Sequence, residues 1–161
     1  MGWATEIGVR QTEPATVAFI ATKGLLAQAA ECFGRLCAWI GQRGCVPSGP
    51  PSGVCFDLPG QLPEGEPRWE LRSPTAGNVA ESGPDEEGSG VKAVGPALVA
   101  PTVHRGPCED EAGVHEALVA WVAQNGYQVA GPVEEVHLTD PSRTAPESLL
   151  KEVRFRIRKL R

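Results

Sequence analysis

The chain reads as an α+β protein built from two tandem β-α-β-β repeats, and three observations carry that reading. The sequence matches itself at an offset of 82 residues: laid over 91–154 without a gap, residues 9–72 give 18 identities. The matches include residues that fix backbone shape, with Gly24 on Gly106, Gly44 on Gly126 and Gly49-Pro50 on Gly131-Pro132. The apolar spacing also changes in the same order in both copies, from strand to helix and back to two strands.

An apolar stretch opens each copy, TVAFIATKG in the first and ALVAPTVHRG in the second. Helices are predicted over residues 26–43 and 109–125. Phe33, Leu36, Cys37 and Ile40 carry the helical spacing in the first, and Val114, Leu118, Trp121 and Val122 in the second. Glu109, Asp110 and Glu111 suit the positive end of the second helix dipole. Gly44 and Gly126 stand where a left-handed C-terminal cap belongs. Strands follow at 53–58 and 134–139, and RWELRS and KEVRFRI close the copies. EIGVRQ and VKAVGP are expected as extra leading strands. Residues 73–90, rich in Gly, Ser, Pro and acids, read as a flexible linker between a first repeat at 1–72 and a second at 91–161.

Composition narrows the function. A net charge of −5 and the lack of a basic stripe beyond the terminal Arg154, Arg156, Arg158, Lys159 and Arg161 argue against direct nucleic-acid binding. No apolar run approaches the roughly 20 residues that span a membrane, and MGWATEIGVR lacks the basic and apolar segments of a signal peptide. Cysteines at 32, 37, 45, 55 and 108 match no zinc spacing, so buried, reduced thiols in a cytoplasmic protein are expected, with no metal and no cofactor. A zinc site drawn from His104, His137 and Cys108 has no diagnostic spacing.

The most suggestive stretch is VEEVHLTD, 133–140. Alternation puts Val136 and Leu138 on one strand face, matched by Val54 and Phe56 in the first copy, and these are expected to face the covering helix. Glu135, His137 and Thr139 then point the other way, with Gly53, Cys55 and Asp57 as counterparts, while Glu134 meets water. If that second face is open, Glu135 and His137 are surface residues. If the copies bring their helix-free faces together about a pseudo-twofold axis, they enclose a ligand cleft to which one half supplies a charge and the other room. Trp39 and Trp121, at equivalent helix positions, are core anchors or ligand walls; Trp69, Phe19 and His104 are further candidate lining residues.

The order Arg105-Gly106-Pro107, Leu118 to Trp121, Gly131-Pro132, Glu135-x-His137 and Lys151-Glu152 resembles the GyrI-like small-molecule-binding domain, the effector-binding domain of bacterial multidrug-responsive transcription activators, also known as a standalone protein. The resemblance covers both copies. It implies two halves side by side with a ligand cleft between them and Glu135 at the pocket floor, where relatives answer cationic, aromatic drug-like ligands. The family's tyrosine after Gly-Pro is Cys108 here, and the tyrosine two residues beyond the glutamate is His137. Some standalone relatives are hydrolases of cyclopropane-containing compounds that pair the glutamate with an aromatic hydroxyl.

The expected function is therefore a standalone, cytoplasmic small-molecule-binding protein, monomer or homodimer. It sequesters or senses an aromatic or apolar drug-like or natural-product ligand, cations included. The expected ligand contacts are Glu135, His137, Phe19, Trp69, Cys55, Cys108, His104, Trp39 and Trp121. A hydrolase acting on an electrophilic small molecule, with Glu135 and His137 catalytic, is the alternative. A protein partner is the third, the chain then being an interaction module that inhibits a larger enzyme. With the first copy beginning near residue 9, no helix-turn-helix domain is expected.

Overall fold

The computed structural model describes residues 3–4, 7–23, 29–56, 68–77, 79–86, 88–106, 111–140 and 143–160. The fold is mixed α/β, with antiparallel strands and two α-helices. In chain order the elements are β1 (Trp3–Ala4), β2 (Arg10–Gln11), β3 (Ala15–Lys23), α1 (Ala29–Gln42), β4 (Ser52–Cys55), β5 (Arg68–Pro74), β6 (Ser89–Val94), β7 (Leu98–Arg105), α2 (Glu111–Gln124), β8 (Tyr127–His137) and β9 (Leu150–Lys159). Both helices end at glycines with positive φ, 68° at Gly44 and 82° at Gly126, a conformation that side chains with a Cβ resist. No helix among the described residues is long and apolar enough to cross a membrane.

The chain forms two compact units, but they do not divide at a central linker. A continuous unit runs Glu13–Pro96, and a split unit joins Met1–Thr12 to Ala97–Arg161. The reason lies in the leading strands. β2 pairs with β7 (Arg10 opposite Val99), and β6 pairs with β3 (Lys92 opposite Val17). Each leading strand thus joins the sheet of the unit that does not follow it in the chain.

In the continuous unit the strand order is β4-β5-β3-β6, all antiparallel. Ala18, Ile20, Leu71 and Val91 pack with Cys32, Leu36, Trp39 and Ile40 of α1 in one buried cluster. Residues 73–90, expected to be a flexible linker, belong to this unit wherever they are described. Ser73 and Pro74 lie in β5, Val79 packs against the core, and Ser82 bridges to Val91. The acids of the stretch act as hydrogen-bond acceptors. Asp85 takes the Trp39 indole N–H at 3.1 Å and the Ser89 amide at 3.0 Å, and Glu81 takes the Ala93 amide at 3.0 Å. Polar composition here marks local bonding rather than slack chain.

In the split unit β1 and β2 both pair with β7, β7 with β9, and β9 with β8. Val114, Leu118 and Val122 recur every four residues and form the buried stripe of α2. Ala100, Val133, Val153, Phe155 and Ile157 are buried in the sheet. β8 is longer than the expected 134–139, because Tyr127–Val129 continue the pairing with β9 before a register shift between Val129 and Val133.

Gly90 shows how closely β6 is fitted. A Cβ there would lie 2.8 Å from Cζ of Phe19 on β3 and closer still to the Ser82 carbonyl. Gly90→Ala is expected to destabilise the protein by roughly 1–3 kcal/mol through overpacking, read as a lower urea midpoint at unchanged m-value.

Candidate functional site

Opposed residues on neighbouring strands share a sheet face. In the split unit, register places His104, Lys151 and His137 in one row across β7, β9 and β8, and Thr102, Val153 and Glu135 in the next. Ala100, Phe155 and Val133 form a third row on the same face. α2 covers this face. The His115 ring meets Phe155 edge-on with centroids 6.0 Å apart, and its Nε2 lies 3.6 Å from Oε1 of Glu135. Glu135 therefore points beneath the helix, and Val136 is on the opposite face. This reverses the expected facing. Leu138 and Phe56, taken with Val136 and Val54 as the helix-facing set, are 44 % and 41 % exposed. The strip that does face α2 is set by Val153, Phe155 and Ile157 of β9.

Most of these polar groups are deeply buried: His104 is 0 % exposed, Lys151 4 % and Glu135, in the next row, 5 %, while His137 is half-buried. Ionic groups taken this far from water need answering charges or hydrogen bonds. Burial pushes the His137 imidazole below its ordinary value, the Lys151 ammonium pushes the same way, and the Glu135 carboxylate pulls it back up. Burial and the ammonium together outweigh the carboxylate, so this imidazole holds its neutral form to lower pH than a free one does.

The opposite face of the same sheet carries a separate charge network. Arg154 donates to Glu134 Oε1 from Nε at 2.9 Å and from Nη2 at 2.7 Å, and its Nη1 lies 3.5 Å from Glu152, which also holds Arg10. Glu134, expected to meet water, is tied to Arg154 instead. The continuous unit has a similar network. Glu70 accepts from Arg72 Nε at 2.6 Å and from Lys92 Nζ at 2.7 Å, and the Lys92 ammonium lies 4.6 Å from the centroid of the Phe19 ring.

The expected ligand residues fall into distinct groups. Glu135, His137 and His104 share the helix-covered face of the split unit. Trp69 and Cys55 are directly opposed on the helix-covered face of the continuous unit, where Thr22 also meets Cys32 at 3.2 Å. The Trp69 indole nitrogen is buried with no hydrogen-bond partner among the described residues. A Cβ at the neighbouring Gly53 would sit 3.8 Å from the Trp69 ring. Phe19 lies on the other face, under Lys92. Trp39 is a core residue, its N–H taken by Asp85 and its ring 4.7 Å from the Arg43 guanidinium carbon. Trp121 is half-buried on α2, and its backbone carbonyl accepts from Asn125 Nδ2 at 2.8 Å. Cys108 lies outside the described residues. His115 and Lys151 had not been expected at the site. His115 borders the Val114–Leu118 stripe, and Lys151 alternates with Val153 and Phe155, but neither spacing marks a site until the face of Glu135 is known.

The lowered His137 titration has a consequence for stability. The unfolded chain takes up its proton near the ordinary value of 6.5, whereas the native imidazole resists until lower pH. The unfolded state therefore binds more protons in this window, and stability falls as pH drops from 6.5 through the native value. Urea unfolding between about pH 7.5 and about pH 5 is expected to show a shallower loss of stability in His137→Gln than in the parent.

No curated protein matches the chain in sequence. Among solved structures, the fold resembles EcmrR in its complex with DNA in EcmrR-RPo, with a TM-score of 0.82 and 12 % identity over 96 % of this chain and 58 % of that one. This chain therefore spans little more than half of that regulator. The isolated EcmrR C-terminal domain gives a TM-score of 0.75 and 14 % identity over 96 % and 98 % of the two chains. A hydrolase from Listeria innocua gives 0.72 and 12 % identity over 95 % and 92 %. SAV2435 bound to tetraphenylphosphonium gives 0.56 and 14 % identity over 96 % and 94 %. Residues 5–158 match the family described as the GyrI-like small molecule binding domain, and the chain belongs to that family.

Proposed function

We propose that this protein sequesters or senses an aromatic or apolar, drug-like or natural-product molecule, held on the helix-covered face of the split unit with Glu135 at the floor of its site. The observation that carries this reading is the buried Glu135 carboxylate beneath α2, with His115 Nε2 3.6 Å away and Lys151 and His137 in the adjoining row. A fold has no packing reason to gather these groups under a helix, since an apolar row there would cost less. Family membership supports a small molecule as the partner, and the net charge of −5 argues for a ligand rather than nucleic acid as the direct contact. The tetraphenylphosphonium held by SAV2435 supports an aromatic frame.

The two units are, on the same reading, copies of one β-α-β-β element. Gly53 opposite Leu71 and Cys55 opposite Trp69 recur 82 residues on as Glu135 opposite Val153 and His137 opposite Lys151. Phe19 opposite Arg72 recurs as Pro101 opposite Arg154, and the leading-strand pair Val17 and Lys92 as Val99 and Arg10. The copies have diverged at the rows that matter. Glu135, His137 and Lys151 stand where the continuous unit has Gly53, Cys55 and Trp69.

A hydrolase is the second reading, favoured by the two imidazoles of His115 and His137 beside one carboxylate, a set that can position a water and move its proton. One experiment separates the two. A thermal-shift screen of polyaromatic and electrophilic compounds, followed by mass spectrometry of each hit, is expected to find a ligand that raises Tm with concentration and is recovered unchanged. Stabilisation should reach about 2.7 kcal/mol at a hundredfold excess over Kd, and Glu135→Gln should reduce it. Conversion of the hit, abolished by Glu135→Gln while binding persists, would favour the hydrolase. A screen with no hit in the parent would count against both.

A further inference from the structure

Gly53 is a glycine that the fold itself does not call for. It lies within β4, buried and opposed to Leu71 on the helix-covered face of the continuous unit. Its φ is not positive, unlike those of Gly44 and Gly126, and β4 pairs with β5 without a register shift, so neither a turn nor a bulge explains it. Nor is it crowded as Gly90 is. A Cβ at Gly53 would meet Leu71 Cδ2 at 3.6 Å and the Trp69 ring at 3.8 and 3.9 Å, ordinary contact distances. Glycine inside a strand weakens it, and one with no backbone or packing reason marks a place that another group approaches closely.

The Trp69 indole beside it has the complementary feature. Its N–H is buried and meets no acceptor among the described residues, so its loss of water is uncompensated. An indole N–H can only donate. Trp69 stands between Thr22 and Cys55 in one row, and Gly53 lies in the adjoining row with Leu71 and Ile20. A bare stretch of backbone, the ring next to it and one unanswered donor thus meet on a single sheet face. We propose that this face of the continuous unit is a second binding site, for a flat, uncharged aromatic molecule with a hydrogen-bond acceptor in or on its ring. The ring packs over Gly53 against Trp69, and the acceptor takes the indole N–H. Gly53, Leu71 and Trp69 offer an ion nothing but that one neutral donor, which is why the ligand is uncharged. At the 82-residue offset Gly53 and Trp69 fall on Glu135 and Lys151, so neutral residues stand here where the split unit has charged ones. The site does not depend on the one proposed at Glu135.

The test uses two probes of one shape, quinoline and naphthalene, of which only quinoline has an acceptor and which are both uncharged at pH 8. Each is titrated into the full chain, and the indole N–H resonances are followed by NMR, that of Trp69 being identified by its loss in Trp69→Phe. Quinoline is expected to move the Trp69 resonance downfield to saturation and to bind about threefold or more tightly than naphthalene, the worth of one neutral hydrogen bond. Trp69→Phe, which keeps a ring but not the donor, should bring the two probes level when binding is read by calorimetry. Gly53→Val, whose side chain occupies the place over the backbone, should weaken both. Circular dichroism checks that each variant is folded; if Gly53→Val is not, Gly53→Ala, whose methyl makes only ordinary contacts, takes its place. A Trp69 resonance that neither probe moves overturns the proposal, as does a quinoline advantage that survives Trp69→Phe, or unchanged binding when Gly53 is filled. Glu135→Gln is expected to leave the Trp69 shift as it is. A shift lost in that variant overturns the second site, whereas failure here with a ligand still answering to Glu135 leaves the site of the split unit standing.

Discussion

The alternation along β9 is the constraint on which the split unit depends. Val153, Phe155 and Ile157 are buried on one face, and Glu152 and Arg154 bond on the other. Because β9 lies between β7 and β8, its inward residues decide which side chains of both neighbours go under α2. Once Phe155 is opposed to Ala100 and Val133, His104 and Glu135 have no freedom of face. A shift of one residue would bring Glu152, Arg154 and Arg156 under the helix, where three buried charges would meet an apolar stripe. The polar row is thus held in place by the hydrophobic one beside it.

Much of this was legible in the residues. The apolar spacing of Val114, Leu118 and Val122 marks the helix that forms at Glu111–Gln124, and Gly44 and Gly126 end both helices as their backbone freedom suggests. Strand facing was not legible from VEEVHL alone, because that segment carries apolar residues at both parities: Val133 on one face, Val136 and Leu138 on the other. KEVRFRI is unambiguous, with Val153, Phe155 and Ile157 at one parity and only charged residues at the other. The parity of that partner strand is what turns Glu135 toward the helix. The leading strands were recognised as strands, but their exchange was not, since a two-residue ladder such as Arg10–Gln11 leaves no pattern that names its neighbour.

The site itself was half visible. Glu135 and His137 stand out because strands disfavour acids and because the first copy has Gly53 and Cys55 there. His115 reads as an ordinary helix residue, and Lys151 only as the first residue of the closing Lys151-Glu152 motif. Their place beside Glu135 follows only from the tertiary fold. The aromatic residues show the converse: Phe19 and Trp39 are conspicuous in the sequence, yet one lies under Lys92 and the other donates to Asp85.

The exchanged leading strands bear on the order in which the molecule can be made. The continuous unit has all its strands once Pro96 has left the ribosome, and it can bury its core at that point. The split unit must wait: β2 is synthesised early and has no partner until β7 follows, and the sheet gains its central member only with β9, the last strand in chain order. During synthesis the edge of β2 is held in reserve while a complete neighbour folds. The carboxylate at 135 therefore enters its dry surroundings only after the continuous unit has all its strands.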